Sequence, residues 1–240
     1  MPLQKLSPEA RTELIRRLKA HYQGAKVELD HADAFQLLAA TILSAQCTDE
    51  RVNQVTPALF AKYPTPQTMA QAPISDLETL IHSTGFFRNK AKSLLGMSQA
   101  LVSRFGNQVP RTMEELLTLP GVARKTANVV LGSVWGIAVG VVVDTHVMRL
   151  SQLLGLSQND DPKRIEQDLM AILPQADWIF VGHALILHGR RVCIARRPQC
   201  NSCFLADLCP SAGANASPQP TQRAHTPNRA SGKRRSARQP

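Results

Sequence analysis

The last thirty residues of this 240-residue chain hold no acidic side chain and no large apolar one. Such a segment cannot bury a core, so 212–240 is expected to be a disordered basic arm. Arg223, Arg229, Lys233, Arg234, Arg235 and Arg238 in it supply six of the net +10 charges. The arm is either a solvated extension or a source of nonspecific attraction to phosphate. No uninterrupted apolar run approaches the roughly 18–20 residues that span a membrane. Met1-Pro2-Leu3-Gln4-Lys5 lacks the apolar centre of a signal peptide. Together these point away from membranes and secretion, toward a soluble cytoplasmic protein. No repeat of solenoid length is visible, which excludes a stacked array. Strand-like sequence is confined to Val141-Val142-Val143, which has nothing to pair with.

What remains is a helical protein with a positive balance. Hydrophobic residues make up 43%, enough for one or two packed domains. A net charge of +10 suggests a polyanionic partner, although residues 1–210 hold 22 basic against 18 acidic groups, only +4 of it. Ser7-Pro8-Glu9 opens a helix that Gly24 closes, and Asp33 caps an apolar helix running to about Gln46. Ser75 with Glu78 and Thr112 with Glu115 have the spacing of capping boxes. Asn89 to Arg104 carries apolar residues at helical spacing, and Asp161-Pro162 starts another helix ending near Pro174. The expected fold class is all-α, with about ten short helices.

Three clusters carry chemistry. Leu119-Pro120-Gly121-Val122-Ala123-Arg124-Lys125 lies between two helical patterns. Leu119 and Val122 can anchor a tight turn in the core while Gly121 allows an unusual backbone angle. Backbone N–H groups at the start of the next helix can then hold a phosphate, though an ordinary helix–helix turn has the same pattern. Lys125 falls in the first turn of that helix, where its amine can form a Schiff base or simply contact phosphate. Asp144, after the three valines, is placed to N-cap the helix closed by Gly155. It is either only a cap, or a carboxylate that takes a proton from the lysine and stabilises an oxocarbenium-like sugar.

The third cluster is Cys193-x6-Cys200-x2-Cys203-x5-Cys209. Four thiolates within seventeen residues suffice for one metal centre, and so short a loop needs a metal to order it. Zinc with four cysteine ligands usually takes two tight knuckles, and only Cys200 with Cys203 forms one. The graded spacing favours the four corners of an iron–sulfur cubane, with zinc left as the alternative. Arg190, Arg191, Arg196 and Arg197 flank the first ligand and can screen an anionic cluster or face DNA phosphates. Cys47 reads as a small core residue.

In order and in combination, LSAQCTDERVN at 43–53, LPGVARKTANVVL at 119–131, VDTHV at 143–147, LILHGR at 185–190 and the cysteine loop resemble the endonuclease III family of DNA glycosylases. The resemblance runs from about residue 7 to 210. It implies a helix-hairpin-helix glycosylase fold, with a six-helix barrel at 27–138 and a cluster domain from 1–26 and 139–211. It implies a monomeric, nucleoid-associated enzyme of bacterial type that excises oxidised pyrimidines from double-stranded DNA and then cuts the strand at the abasic site. Lys125 matches the nucleophile, Asp144 the catalytic carboxylate, and Cys193, Cys200, Cys203 and Cys209 the ligands of a 4Fe–4S cluster. Gln46 matches the residue that fills the vacated stack, with Ser44 and Asp49 on the same segment. Phe86 and Phe87 lie where the family wedges the opposite strand, although either could be a core contact. Gly121, Ala123, Arg124, His146, Arg190 and Arg191 are the remaining expected DNA contacts. Ala123 stands where most members have a second hairpin glycine, so it either has an ordinary negative φ or costs about 1 kcal/mol.

Three rival readings stand beside this one. An adenine-removing mismatch glycosylase of the same superfamily lacks the hairpin lysine that position 125 carries. A pyrimidine-dimer glycosylase keeps both Lys125 and Asp144 and stays open. A noncatalytic iron–sulfur DNA-binding or redox-sensing protein has no need of that pair.

Overall fold

The computed structural model describes residues 5–215. Within them are twelve α-helices, three single 3-10 turns and no strand. In chain order the helices are α1 (Pro8–His21), α2 (Ala34–Leu43), α3 (Asp49–Lys62), α4 (Pro66–Ala70), α5 (Ile74–Leu80) and α6 (Phe87–Arg104). They continue with α7 (Met113–Leu116), α8 (Arg124–Trp135), α9 (Thr145–Leu153), α10 (Pro162–Ile172), α11 (Trp178–Arg191) and α12 (Ala212–Asn215). No helix among the described residues is long and apolar enough to cross a membrane. The basic arm lies outside the described residues except for 212–215, which form α12 and not disordered chain.

Several starts follow from side-chain oxygens that accept the otherwise unpaired N–H groups of a first turn. Ser7 accepts from Ala10, Asp33 from Gln36, Asp144 from Val147 and Asp161 from Arg164, at 2.8–3.2 Å. Thr112 accepts from the Glu115 amide at 3.3 Å and donates to its carboxylate at 2.8 Å. Ser75 does not cap: α5 begins at Ile74 after Pro73, which leaves Ser75 inside the first turn. The apolar helix stops at Leu43, earlier than the expected Gln46. There the Ser44 hydroxyl bonds back to the Thr41 carbonyl at 2.9 Å and Gln46 adopts φ +53.

Two separate apolar cores organise the helices. One gathers buried residues from Leu29 to Leu131, including Leu37, Leu38, Leu59, Leu94, Met97 and Leu101. The other joins Leu14, Leu18 and Tyr22 of the first segment to buried residues between Val141 and Leu205. The valine run is buried and forms no strand, and it carries the chain into the second core. Helix α1 also grips the cysteine loop, since Arg17 donates to the Phe204 carbonyl at 2.8 Å and to Asp207 at 2.5 Å. Groups tied together at both chain ends thus hold a loop that has little core of its own.

Candidate active site

Leu119 and Val122 are buried in the first core and anchor the hairpin between α7 and α8. Gly121 sits at φ +78, and a Cβ there would lie 2.6 Å from Ser93 Cβ, so both backbone angle and space require glycine. Ala123 has φ −99 and ψ 169, an ordinary extended conformation. The alanine therefore carries no backbone penalty. It is the N-cap of α8 and makes no side-chain cap bond, which leaves the first N–H groups of that helix open to a ligand.

Lys125 follows in the first turn, exposed, and Asp144 stands half-buried at the start of α9. One oxygen of Asp144 is fixed by the Val147 amide at 2.8 Å. Both side chains line two adjoining hollows, a smaller and a larger one, whose walls also share Ser44, Asp49 and Arg190. The larger is walled also by Gln46 and His146. The first core's α2 and α8 and the second core's α9 and α11 thus converge on one cleft.

Other expected DNA contacts are engaged inside the protein. Arg190 donates to Glu28 at 2.6 Å and pairs with Asp49 at 2.9 Å, and Arg191 reaches the second oxygen of Glu28 at 2.6 Å. Arg124 donates through Nε to Glu166 at 2.7 Å, and Asn128 donates to the other Glu166 oxygen at 2.8 Å. His146 packs closely on Gly189 of α11. Phe86 is 65% exposed at φ +48, whereas Phe87 is half-buried and packs at a tilt against His82, with ring centres 4.4 Å apart. The aromatic pair divides into one presented ring and one packed ring. Gln46 and Phe86 are both non-glycine residues in the left-handed region, and both are solvent-exposed. Such strain persists where surrounding structure imposes it, and it concentrates at functional sites.

Sequence reasoning did not single out Glu28, Glu166 or His183. Their partners lie far away in the chain, so no local pattern marks them. His183 is 5% exposed in the wall beside Lys125 and Asp144. Burial lowers its pKa, and the neighbouring Asp144 charge partly opposes that.

The four late cysteines are free thiols that line one cavity. Among the described residues no three His, Cys, Asp or Glu side chains converge on one ion position. Sulfurs spread around a cavity suit a multi-iron cluster better than a lone zinc. Arg149 reaches Cys193 Sγ at 3.5 Å, and the Leu205 amide donates to Cys203 Sγ at 3.4 Å, which partly opposes the burial that pushes the Cys203 thiol up. Arg149, on α9, screens the first ligand from a direction the flanking arginines did not suggest. Behind Cys203, burial pushes His188 down to about 4, helped by His21 and Arg149, and pushes Tyr22 up to about 12, helped by the Cys203 sulfur. Cys47 is half-buried and packs against the first core.

Known proteins match both regions. The family described as HhH-GPD superfamily base excision DNA repair protein matches residues 39–175, more than half of the chain. The iron-sulfur binding domain of endonuclease III matches residues 193–209. Endonuclease III of Synechocystis sp. is 59% identical over 204 residues, 85% of this chain and 93% of that protein. Endonuclease III of Escherichia coli is 36% identical over 83% of this chain and 94% of its own length. A solved non-covalent endonuclease III–DNA complex superposes with TM-score 0.83 at 40% identity, covering 87% of this chain and 98% of the other. A trapped endonuclease III–DNA covalent intermediate superposes with the same score, identity and coverage. Fold, hairpin and cysteine loop agree with these matches, and the chain belongs to the endonuclease III family of helix-hairpin-helix base-excision repair proteins, with a 4Fe–4S cluster as its cofactor.

Proposed function

We propose that this protein removes oxidised pyrimidines from double-stranded DNA and cleaves the resulting abasic site, using Lys125 and Asp144. The family is one of bifunctional base-excision glycosylase/lyases that work on DNA. The observation that carries the assignment of residues is that Lys125 and Asp144, from different cores, line the same cleft. A base inside the duplex is out of reach, so the damaged nucleotide must swing out into that cleft. Gln46, exposed on the cleft wall, is suited to fill the gap left in the stack, and Phe86 to press on the opposite strand. The open N–H groups of α8 and the hairpin hold a phosphate beside them.

The lysine amine, after giving a proton to Asp144, attacks C1′. The C1′–N bond breaks and the base leaves with its electron pair, taking up a proton. After the nitrogen loses a second proton, its electron pair forms the C1′=N bond as the C1′–O4′ bond breaks and O4′ takes up a proton, which opens the sugar ring and leaves a protonated imine at C1′. That imine makes the C2′ proton acidic; as it leaves, the C3′–O bond breaks and the 3′ phosphate departs. The carboxylate also balances positive charge developing on the sugar in the transition state. The bound cluster supplies the cross-link that orders residues 193–209 against α1 and α9.

The domain reading of 27–138 against 1–26 with 139–211 is supported by the two separate cores. One copy suffices, since every proposed group comes from a single chain, and the place of action is the nucleoid in the cytoplasm. Base release and nicking on duplex oligonucleotides with thymine glycol, an abasic site or a cyclobutane dimer test the proposal. The expected result is activity on the first two, with Asp144→Asn reducing base release by roughly 10²-fold or more. Cutting only at the dimer would replace the oxidised-base reading with the dimer-specific one.

A further inference from the structure

We propose that Tyr22 and His188 form a hydrogen-bond relay into the Cys203 sulfur that raises the reduction potential of the iron–sulfur cluster. The inference rests on the cluster assignment. The Tyr22 hydroxyl stands 3.0 Å from His188 Nδ1, and the opposite ring nitrogen, Nε2, stands 3.6 Å from Cys203 Sγ. Tyr22 is 6% exposed and His188 2% exposed, so water does not compete for either group.

The direction of the relay follows from what each atom can offer. A tyrosine hydroxyl has one proton to give, and buried hydroxyls are found donating it. With Tyr22 donating to Nδ1, a neutral imidazole must carry its proton on Nε2, the nitrogen facing the sulfur. Tyr22 therefore selects the tautomer, and the ring passes that selection on as an N–H pointed at Cys203. The geometry is locked by aromatic packing. The Phe204 ring meets His188 edge-on at 5.2 Å and Tyr22 at 5.8 Å, and it stacks on His21 at 4.1 Å. The His188 ring cannot swing away without displacing Tyr22 and Phe204.

Cys203 also accepts from the Leu205 amide, a bond no side-chain substitution removes. The His188 bond is thus the part of the Cys203 environment that residue choice controls. A donor on a cluster thiolate stabilises the more negative, reduced state more than the oxidised one, which moves the potential upward. One electron enters the cluster in that couple, and no proton travels along the relay. Both residues are positioning groups, and neither lines the cleft proposed for the DNA chemistry.

The test uses purified full-length protein with its cluster. Iron content and the visible charge-transfer absorption establish loading in wild type; a colourless, iron-free protein would overturn the cluster assignment itself. Tyr22→Phe removes one hydroxyl and keeps the packing. It is expected to bind the same iron per chain, to show a lower midpoint potential by voltammetry, and to shift the Fe–S(Cys) stretching bands upward in resonance Raman spectra. His188→Gln is expected to lower the potential as well. If His188→Gln fails to retain the cluster, Tyr22→Phe alone decides. A cluster-loaded Tyr22→Phe with the wild-type potential and wild-type Fe–S bands would overturn the relay.

Discussion

Glu166 ties the helix of Lys125, the proposed nucleophile, to the second core, and its removal has a definite cost. Its carboxylate is 6% exposed as a residue and accepts from Arg124 at 2.7 Å and from Asn128 at 2.8 Å. These partners flank Lys125 on α8. Glu166→Ala leaves the buried Asn128 amide without an acceptor, while its Oδ1 already has no partner. Orphaning a buried donor that had a charged acceptor costs about 2–3 kcal/mol. The Arg124 side chain is 40% exposed and regains water, so its share is below about 1 kcal/mol. The sum is about 3 kcal/mol, or a fall in Tm of roughly 6–12 °C for a chain of this size. Gly140 supplies the control. A Cβ there would lie 2.0 Å from Glu166 Oε1 and 2.8 Å from the Asn128 amide nitrogen. Gly140→Ala must expel the same carboxylate and should cost about as much as Glu166→Ala. Thermal unfolding of both singles and the double variant closes the cycle. The expected double lies near either single, a coupling of about 2–3 kcal/mol. Costs that simply add would refute the claim that one anchored carboxylate links the two positions.

Other outcomes follow from the same geometry. Ala123→Gly should not improve the hairpin, because φ is already negative; unfolding is expected to occur with about 0.4–1 kcal/mol less stability and unchanged single-turnover nicking. Tighter DNA binding by that variant would contradict the backbone argument. His183 binds a proton less readily folded than unfolded, so its contribution is intact above the ordinary histidine range and is lost as pH falls below about 6.5. Tm against pH from 7.5 downward should fall less steeply in His183→Gln than in wild type, and equal slopes would sink that assignment.

Features set by neighbours in sequence could be read directly. The caps Ser7, Asp33, Thr112, Asp144 and Asp161 each act within three residues, and each is made as the spacing suggested. The cysteine loop and the hairpin are likewise local. Ser75 misled because Pro73 sets the start of α5 two residues before it, and spacing alone does not weigh that competition. Long-range pairing was not legible. Arg190 meets Glu28 across 162 positions, and Tyr22 meets His188 across 166. Nothing near either residue records its partner. Charge shows the same limit, because three arginines that looked available for DNA are held by Glu28, Asp49 and Glu166. The excess of positive charge indicated the kind of partner, and the proposed site of chemistry rests on the cleft that Lys125 and Asp144 share.

The most direct test of the account is borohydride reduction during reaction with duplex DNA containing thymine glycol, followed by mapping of the cross-linked peptide. A covalent complex through Lys125, lost in Lys125→Ala, is the predicted result. A complex that persists in Lys125→Ala, or maps to another amine, would contradict the assignment of the nucleophile.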